Sequence, residues 1–354
     1  MQQKKAHSVV TAVMVALLGL LVGCGIGSDD ASHPLTFYLA RLERTLDLAF
    51  PDTASSALPL PRSRALSLAL ASSSIDMLDM YALRNCALET TLGKSNSSLG
   101  KVATASQRLL LELTILAQLP DCIASLDADD EASLLVALRT AQEDKLEQLP
   151  ARIWNATLAG PEFRRFWQSS GALGQYPDNT GSEVPAALAR LAQLSQRWLS
   201  GDYMLGHEEL ETLLDQVRRG DGGSLIYALA QQQSSLQAAA PGLQQRLTDP
   251  PLCFGKTPSP EGRILETVVR KFFAGELQPW SVRLDRRRQQ LMPPVLALEE
   301  QLAMAVPPEY AEWQTERDSL LASSINAPKA HALLLAELLD SCGLRPGSGP
   351  ANSS

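Results

Sequence analysis

Apolar residues return along this chain every three or four positions, the spacing of one helix face. Leu35, Leu39, Leu42 and Leu46 make one such stripe. Leu109, Leu113 and Leu116 make another, which Pro120 is expected to stop because proline cannot donate to the helix ladder. The pattern continues through Leu134, Leu138, Ala141 and Leu149, then Leu188, Leu191, Leu194 and Trp198, then Leu210, Leu213, Leu214 and Val217. Ile264, Leu265, Val268, Val269, Phe272 and Phe273 form a double stripe behind Ser259 and Pro260, which suit the N-cap and first helical position. Leu334, Leu335, Leu338 and Cys342 follow Pro328. No stretch shows the period-two alternation of a half-buried strand. The pattern predicts an all-α, multi-helix body over residues 35–342, with about ten to twelve helices.

The densest run of turn residues, GALGQYPDNTGSEVP at 171–185, divides that body into two expected helical lobes, 35–170 and 183–342. The acidic turn at 127–133 leads into a helix N-terminus, where negative charge is favourable. Residues 343–354, rich in Gly, Pro and Ser, read as a disordered tail.

One apolar run does not fit the amphipathic pattern. It follows Lys4 and Lys5, extends from Ser8 to Gly23, and stops at Cys24. Sixteen helical residues rise about 24 Å, short of the roughly 30 Å of a bilayer core. A basic start, an apolar middle and a small residue before the end are the parts of a secretory signal peptide. Leu21-Val22-Gly23-Cys24 resembles the lipobox of bacterial lipoproteins. There a diacylglyceryl group joins the cysteine thiol and the peptide is cut just before it. The resemblance implies that residues 1–23 are a signal peptide, that Cys24 is the acylated N-terminus, and that 24–34 is a flexible tether to the membrane. Gly25 stands where aspartate retains many such lipoproteins at the inner membrane, which implies an outer-membrane location facing the periplasm.

Composition narrows the partners. The net charge of −8 would become −10 on loss of Lys4 and Lys5, which argues against nucleic acid, whose binding needs a basic footprint. Setting Cys24 aside leaves Cys86, Cys122, Cys253 and Cys342, an even number that an oxidising compartment would pair. Three connectivities are open; Cys86–Cys122 with Cys253–Cys342 is the expected one, because each bridge then closes within one half of the chain. No CxxC spacing occurs and histidine is scarce, so no metal or cofactor is expected.

The candidate chemistry is thin. Gly93-Lys94-Ser95 lacks the upstream glycine and the strand of a phosphate loop, and HEELE at 207–211 has Glu211 where a second zinc ligand would stand. His331 reads as a packed core histidine, and Arg286-Arg287-Arg288 as a solvated helix face. One segment stands out, LPARIWNATLAGPEFRRFWQSSG at 149–171. Trp154, Phe163, Phe166 and Trp167 cluster there with Asn155, Glu162, Arg164 and Arg165, in a chain with 5% aromatics. Aromatic platforms beside a carboxylate hold sugars, and a single carboxylic acid can protonate a glycosidic oxygen. The competing reading, and the favoured one, is aromatic packing at a helix junction with Gly160-Pro161 as its turn.

NSSLGKV…SQRLLLEL…DC, LPARIWNATLAGPEFRRFW and PPLCFGKTPSPEGRILETVVRKFFAGELQPW together resemble a family of Gram-negative bacterial lipoproteins of unknown function. The resemblance implies an anchored periplasmic protein and carries no catalytic residue with it. A non-enzymatic binding or assembly factor of the cell envelope, with an envelope protein or peptidoglycan as partner, is the expectation. An envelope enzyme using Glu162 as acid on peptidoglycan is the alternative.

Overall fold

The computed structural model describes residues 33–53, 58–71, 83, 86–126, 131–204, 207–248 and 250–344. The apolar run and Cys24 lie outside these residues, as do most of the acidic turn and the tail from 345. Among the described residues the fold is all-α, without a strand; Phe254 and Thr257 make an isolated bridge. In chain order the helices are α1 (Pro34–Leu46), α2 (Ser63–Leu66), α3 (Leu88–Asn96), α4 (Ser98–Val102), α5 (Ala105–Ser125), α6 (Ala132–Ala156) and α7 (Pro161–Phe166). Then come α8 (Val184–Leu199), α9 (His207–Arg218), α10 (Gly222–Thr248), α11 (Pro260–Val268), α12 (Gln278–Gln301), α13 (Pro308–Ser324) and α14 (Ala327–Ser341).

Two sequence expectations about helices need correction. Pro120 does not end its helix: α5 runs on to Ser125. The turn beyond Pro120 carries Cys122, buried and bonded to Cys86, so tertiary contacts hold what local propensity would break. The double stripe after Ser259 is capped as expected, Ser259 Oγ accepting from Gly262 N at 3.0 Å, but Ile264 is exposed. From Val269 to Leu277 the helix becomes π-helical before continuing as α12. Bonding from i to i+5 changes which residues share a face. Val268 with Phe273, and Phe272 with Leu277, are all buried, and each pair is five apart.

Contacts cross the expected boundary between the lobes. One cluster of buried side chains runs from Leu35 to Cys342 without a gap at 171–183. Helix α1 packs on α10, α11 and the π-helical stretch, α7 packs on α9, and α6 touches α8. The loop itself is clamped to the second half. Trp280 Nε1 donates to Tyr176 O at 2.8 Å, Tyr176 OH donates to Asp221 Oδ2 at 2.8 Å, and Arg287 Nη2 donates to Gly181 O at 3.1 Å. Arg287 also pairs with Asp221 and is buried, so the Arg286–Arg288 run is not a uniformly solvated face.

The cysteines pair as expected, Cys86 with Cys122 (Cα–Cα 5.5 Å) and Cys253 with Cys342 (5.0 Å). Two residues of the expected tether, 24–34, belong to the helical body: His33 and Pro34. His33 is buried, its Nδ1 caps α1 by accepting from Leu35 N at 3.2 Å, and its ring lies edge-on to Trp280 at 4.7 Å.

His331 is a core histidine. It lies in α14 with 1% exposure, and its Nε2 is 2.7 Å from the hydroxyl of Tyr38 in α1. Burial pulls its pKa down from 6.5 to about 4. Between those values the unfolded chain binds a proton that the folded chain does not, so stability falls as pH drops through that window, by up to about 1.4 kcal/mol per pH unit. Urea midpoints measured from pH 7 to 4 are expected to decline more steeply in the wild type than in His331→Gln. Parallel declines would remove this histidine as the cause.

Candidate functional site

The 149–171 segment joins the end of α6 to α7 through a turn at Thr157–Gly160. Its aromatics face inward. Trp154, Phe163 and Phe166 have 0% exposure and Trp167 has 5%. Trp154 meets Tyr310 edge-on at 4.8 Å, Phe166 meets Trp167 at 4.7 Å, and Trp167 meets Trp313 at 4.9 Å. Such edge-to-face pairs contribute beyond their buried area.

Trp154, Asn155 and Arg164 are committed to main chain. Asn155 exchanges two bonds with Leu68, accepting from its N and donating to its O, both at 2.9 Å. Trp154 Nε1 donates to Leu66 O at 2.8 Å, and Arg164 Nη1 to Pro61 O at 3.0 Å. Three side chains of one junction thus fasten the segment around α2. Glu162 is half-buried at the second position of α7, where a negative charge suits the helix N-terminus. Because Trp154, Phe163 and Trp167 turn into the core, they do not wall a cleft around Glu162.

Behind this junction lies a group that sequence reasoning missed. Arg317, with no exposure, donates to Glu299 through Nη1 (2.6 Å) and Nη2 (2.9 Å), and Tyr310 OH donates to the same carboxylate at 2.6 Å. The guanidinium sits 5.1 Å from the Trp313 ring and 5.6 Å from that of Trp167. Burial lifts the Tyr310 pKa well above 10, and Glu299 beside it adds to the rise. Burial acts to lower that of Arg317, but pairing with Glu299 outweighs it. The guanidinium therefore stays charged and the phenol neutral. Tyr310, Trp313 and Arg317 share a helix face at spacings of three and four, which was visible; their partner Glu299 lies on another helix and was not. A second buried pair, Lys145 to Glu112 at 2.7 Å, joins α6 to α5.

Open clefts lie elsewhere. One of about 540 Å³ is lined by His33, Gln175, Tyr176, Asp178, Trp280 and Arg283. Its charges are paired, Arg283 with Asp178 at 2.8 Å. Another of about 530 Å³ lies between the end of α7 and the start of α10. A shallow one of about 480 Å³ lies over the α12–α13 connection beside Leu296 and Val306. Among the described residues, no group of three or more His, Cys, Asp or Glu side chains is placed to hold a metal.

Residues 35–346 match the model of a family described as protein of unknown function (DUF3080), and the chain belongs to that family. No curated protein and no solved structure matches it.

The junction makes two variants diverge. Trp154→Ala is expected to lower unfolding free energy by about 3–5 kcal/mol, the cost of a large buried truncation. Glu162→Gln is expected to lower it by no more than about 1 kcal/mol, the contribution of one negative charge at a helix N-terminus. Urea unfolding of both variants checks this; a stable Trp154→Ala would show that the segment is not a packing junction.

Proposed function

We propose that this chain is a lipid-anchored protein of the bacterial outer membrane, held by an acylated Cys24, whose helical body acts in the periplasm as a non-enzymatic binding or assembly factor. The lipobox-like Leu21-Val22-Gly23-Cys24 after a short apolar run supports the anchor. Two disulfides agree with an oxidising compartment. No helix among the described residues is long and apolar enough to cross a membrane. Several acyl chains on one cysteine supply the attachment, since one chain alone binds marginally.

The observation that carries the non-enzymatic reading is the use made of residues 149–171. Trp154, Asn155 and Arg164 hold the 61–68 segment, and Trp167 stacks against the buried Arg317 group. Residues that could have formed a sugar-holding acid site are engaged in packing, and Glu162 is left without an aromatic wall.

Two measurements test the two parts. In a Gram-negative host, Cys24→Ser is expected to accumulate as an uncleaved precursor that incorporates no labelled fatty acid; an acylated mutant would overturn the anchor. Purified protein is expected to leave peptidoglycan uncleaved. Turnover that Glu162→Gln abolishes would replace the binding reading with an enzymatic one.

A further inference from the structure

The cleft of about 530 Å³ beside α7 has an unusual charge balance for so acidic a chain. One wall carries Arg165 and Ser169, from the end of α7 and the loop after it. The other carries Arg218 and Arg219 from the end of α9, with Asp221 and Ser224 where α10 begins. The carboxylates nearby are already shared. Asp215 accepts from Arg218 and from Arg219, 2.6 Å on each oxygen. Asp221 is taken by Arg287 and Tyr176. Arg165 donates to the neutral amide of Gln168. Four guanidiniums thus face two carboxylates, which leaves two positive charges at one place on a chain of net charge −8.

The walls are held at fixed separation. A Cβ on Gly223 would come within 2.3 Å of Trp167 O, and one on Gly222 within 2.3 Å of the Phe166 ring. The start of α10 is therefore pressed directly under the end of α7, and glycine is required for the approach. The arginines project from this rigid base. Arg218 and Arg219 are about half exposed, so their bridges to Asp215 are screened by water and can be exchanged for another anion at little cost.

We propose that this cleft binds a phosphate-bearing anion, held by the guanidiniums of Arg165, Arg218 and Arg219 with the hydroxyls of Ser169 and Ser224. Guanidinium forks match phosphate oxygens in pairs, and an arginine cluster recognises phosphate more specifically than scattered lysines would. The positive end of the 27-residue α10 adds to the local potential. The anion is either a free phosphate compound or a phospholipid headgroup. The proposed anchor would favour the headgroup. Asp221 at this cleft bonds directly to Tyr176, which lines the neighbouring cleft with His33, where the described chain begins. Eight residues, 25–32, separate His33 from Cys24, and fully extended they span at most about 29 Å. Only this choice of source rests on the proposed anchor; the anion site does not.

Calorimetric titration of the full chain with inorganic pyrophosphate at low salt is expected to show saturable binding that weakens as salt rises. Arg165→Gln combined with Arg219→Gln is expected to lower affinity at least tenfold, and Asp215→Asn to raise it severalfold by removing the competing carboxylate. Opposite signs separate loss of the site from general disruption, and thermal unfolding confirms that each variant is folded. Titration with short-chain phosphatidylglycerol and phosphatidylcholine, both below their micelle concentrations, identifies the source. Tighter binding of phosphatidylglycerol than of pyrophosphate assigns a headgroup, and the reverse assigns a free phosphate compound. No saturable binding of any of them, or binding that the arginine and aspartate variants leave unchanged, would overturn the proposal. Fatty-acid labelling of Cys24 reads the anchor separately, so either idea can fail without the other.

Discussion

The buried pair of Arg317 and Glu299 is the constraint around which the centre of this protein is organised. A guanidinium and a carboxylate removed from water lose solvation that their mutual attraction restores only when geometry is good and the remaining polar atoms are satisfied. Here two parallel bonds join them, Tyr310 supplies a third to the carboxylate, and Asp318 takes a further guanidinium N–H. Two tryptophan rings lie near the guanidinium, where their electron-rich faces favour a cation. One of those rings, Trp167, caps the end of α7, and Trp154 of α6 packs on Tyr310. The requirement to shelter one ion pair therefore draws α6, α7, α12 and α13 to one point. From there the bonds of Trp154, Asn155 and Arg164 extend to the irregular segment around α2.

This arrangement explains why helices were legible in the sequence and their assembly was not. A face such as Leu188, Leu191, Leu194 and Trp198 reads directly, because helical periodicity is local and all four residues are buried. The buried histidine in α14 was legible for the same reason, sitting on an apolar face. The pairing of cysteines followed from parity and loop closure. Aromatic packing at 149–171 was also the favoured reading, and the buried side chains agree with it.

What escaped depends on partners far away in sequence. Arg287 reads as one of three solvated arginines until Asp221, 66 residues earlier, is placed beside it. Glu299 has no neighbour in sequence to mark it as buried. Pro120 reads as a stop until a disulfide holds the turn after it. The glycine-rich loop at 171–183 reads as a boundary because turn residues usually mark one, yet Tyr176 and Gly181 tie it to α10 and α12. The π-helical stretch left no trace in the sequence, because Val268 with Phe272 and Val269 with Phe273 also fit the four-residue spacing of an α-helix.

The position of His33 has a mechanical consequence. Its ring rests on Trp280 of α12, and α1 behind it is seated on α10, α11 and the π-helical stretch, elements more than 170 residues downstream. Tension applied along the chain ahead of His33 would thus enter the body through its C-terminal half. The Cys253–Cys342 bridge closes that same half covalently. A pull from the N-terminal side would thus reach elements that a covalent bridge already ties together.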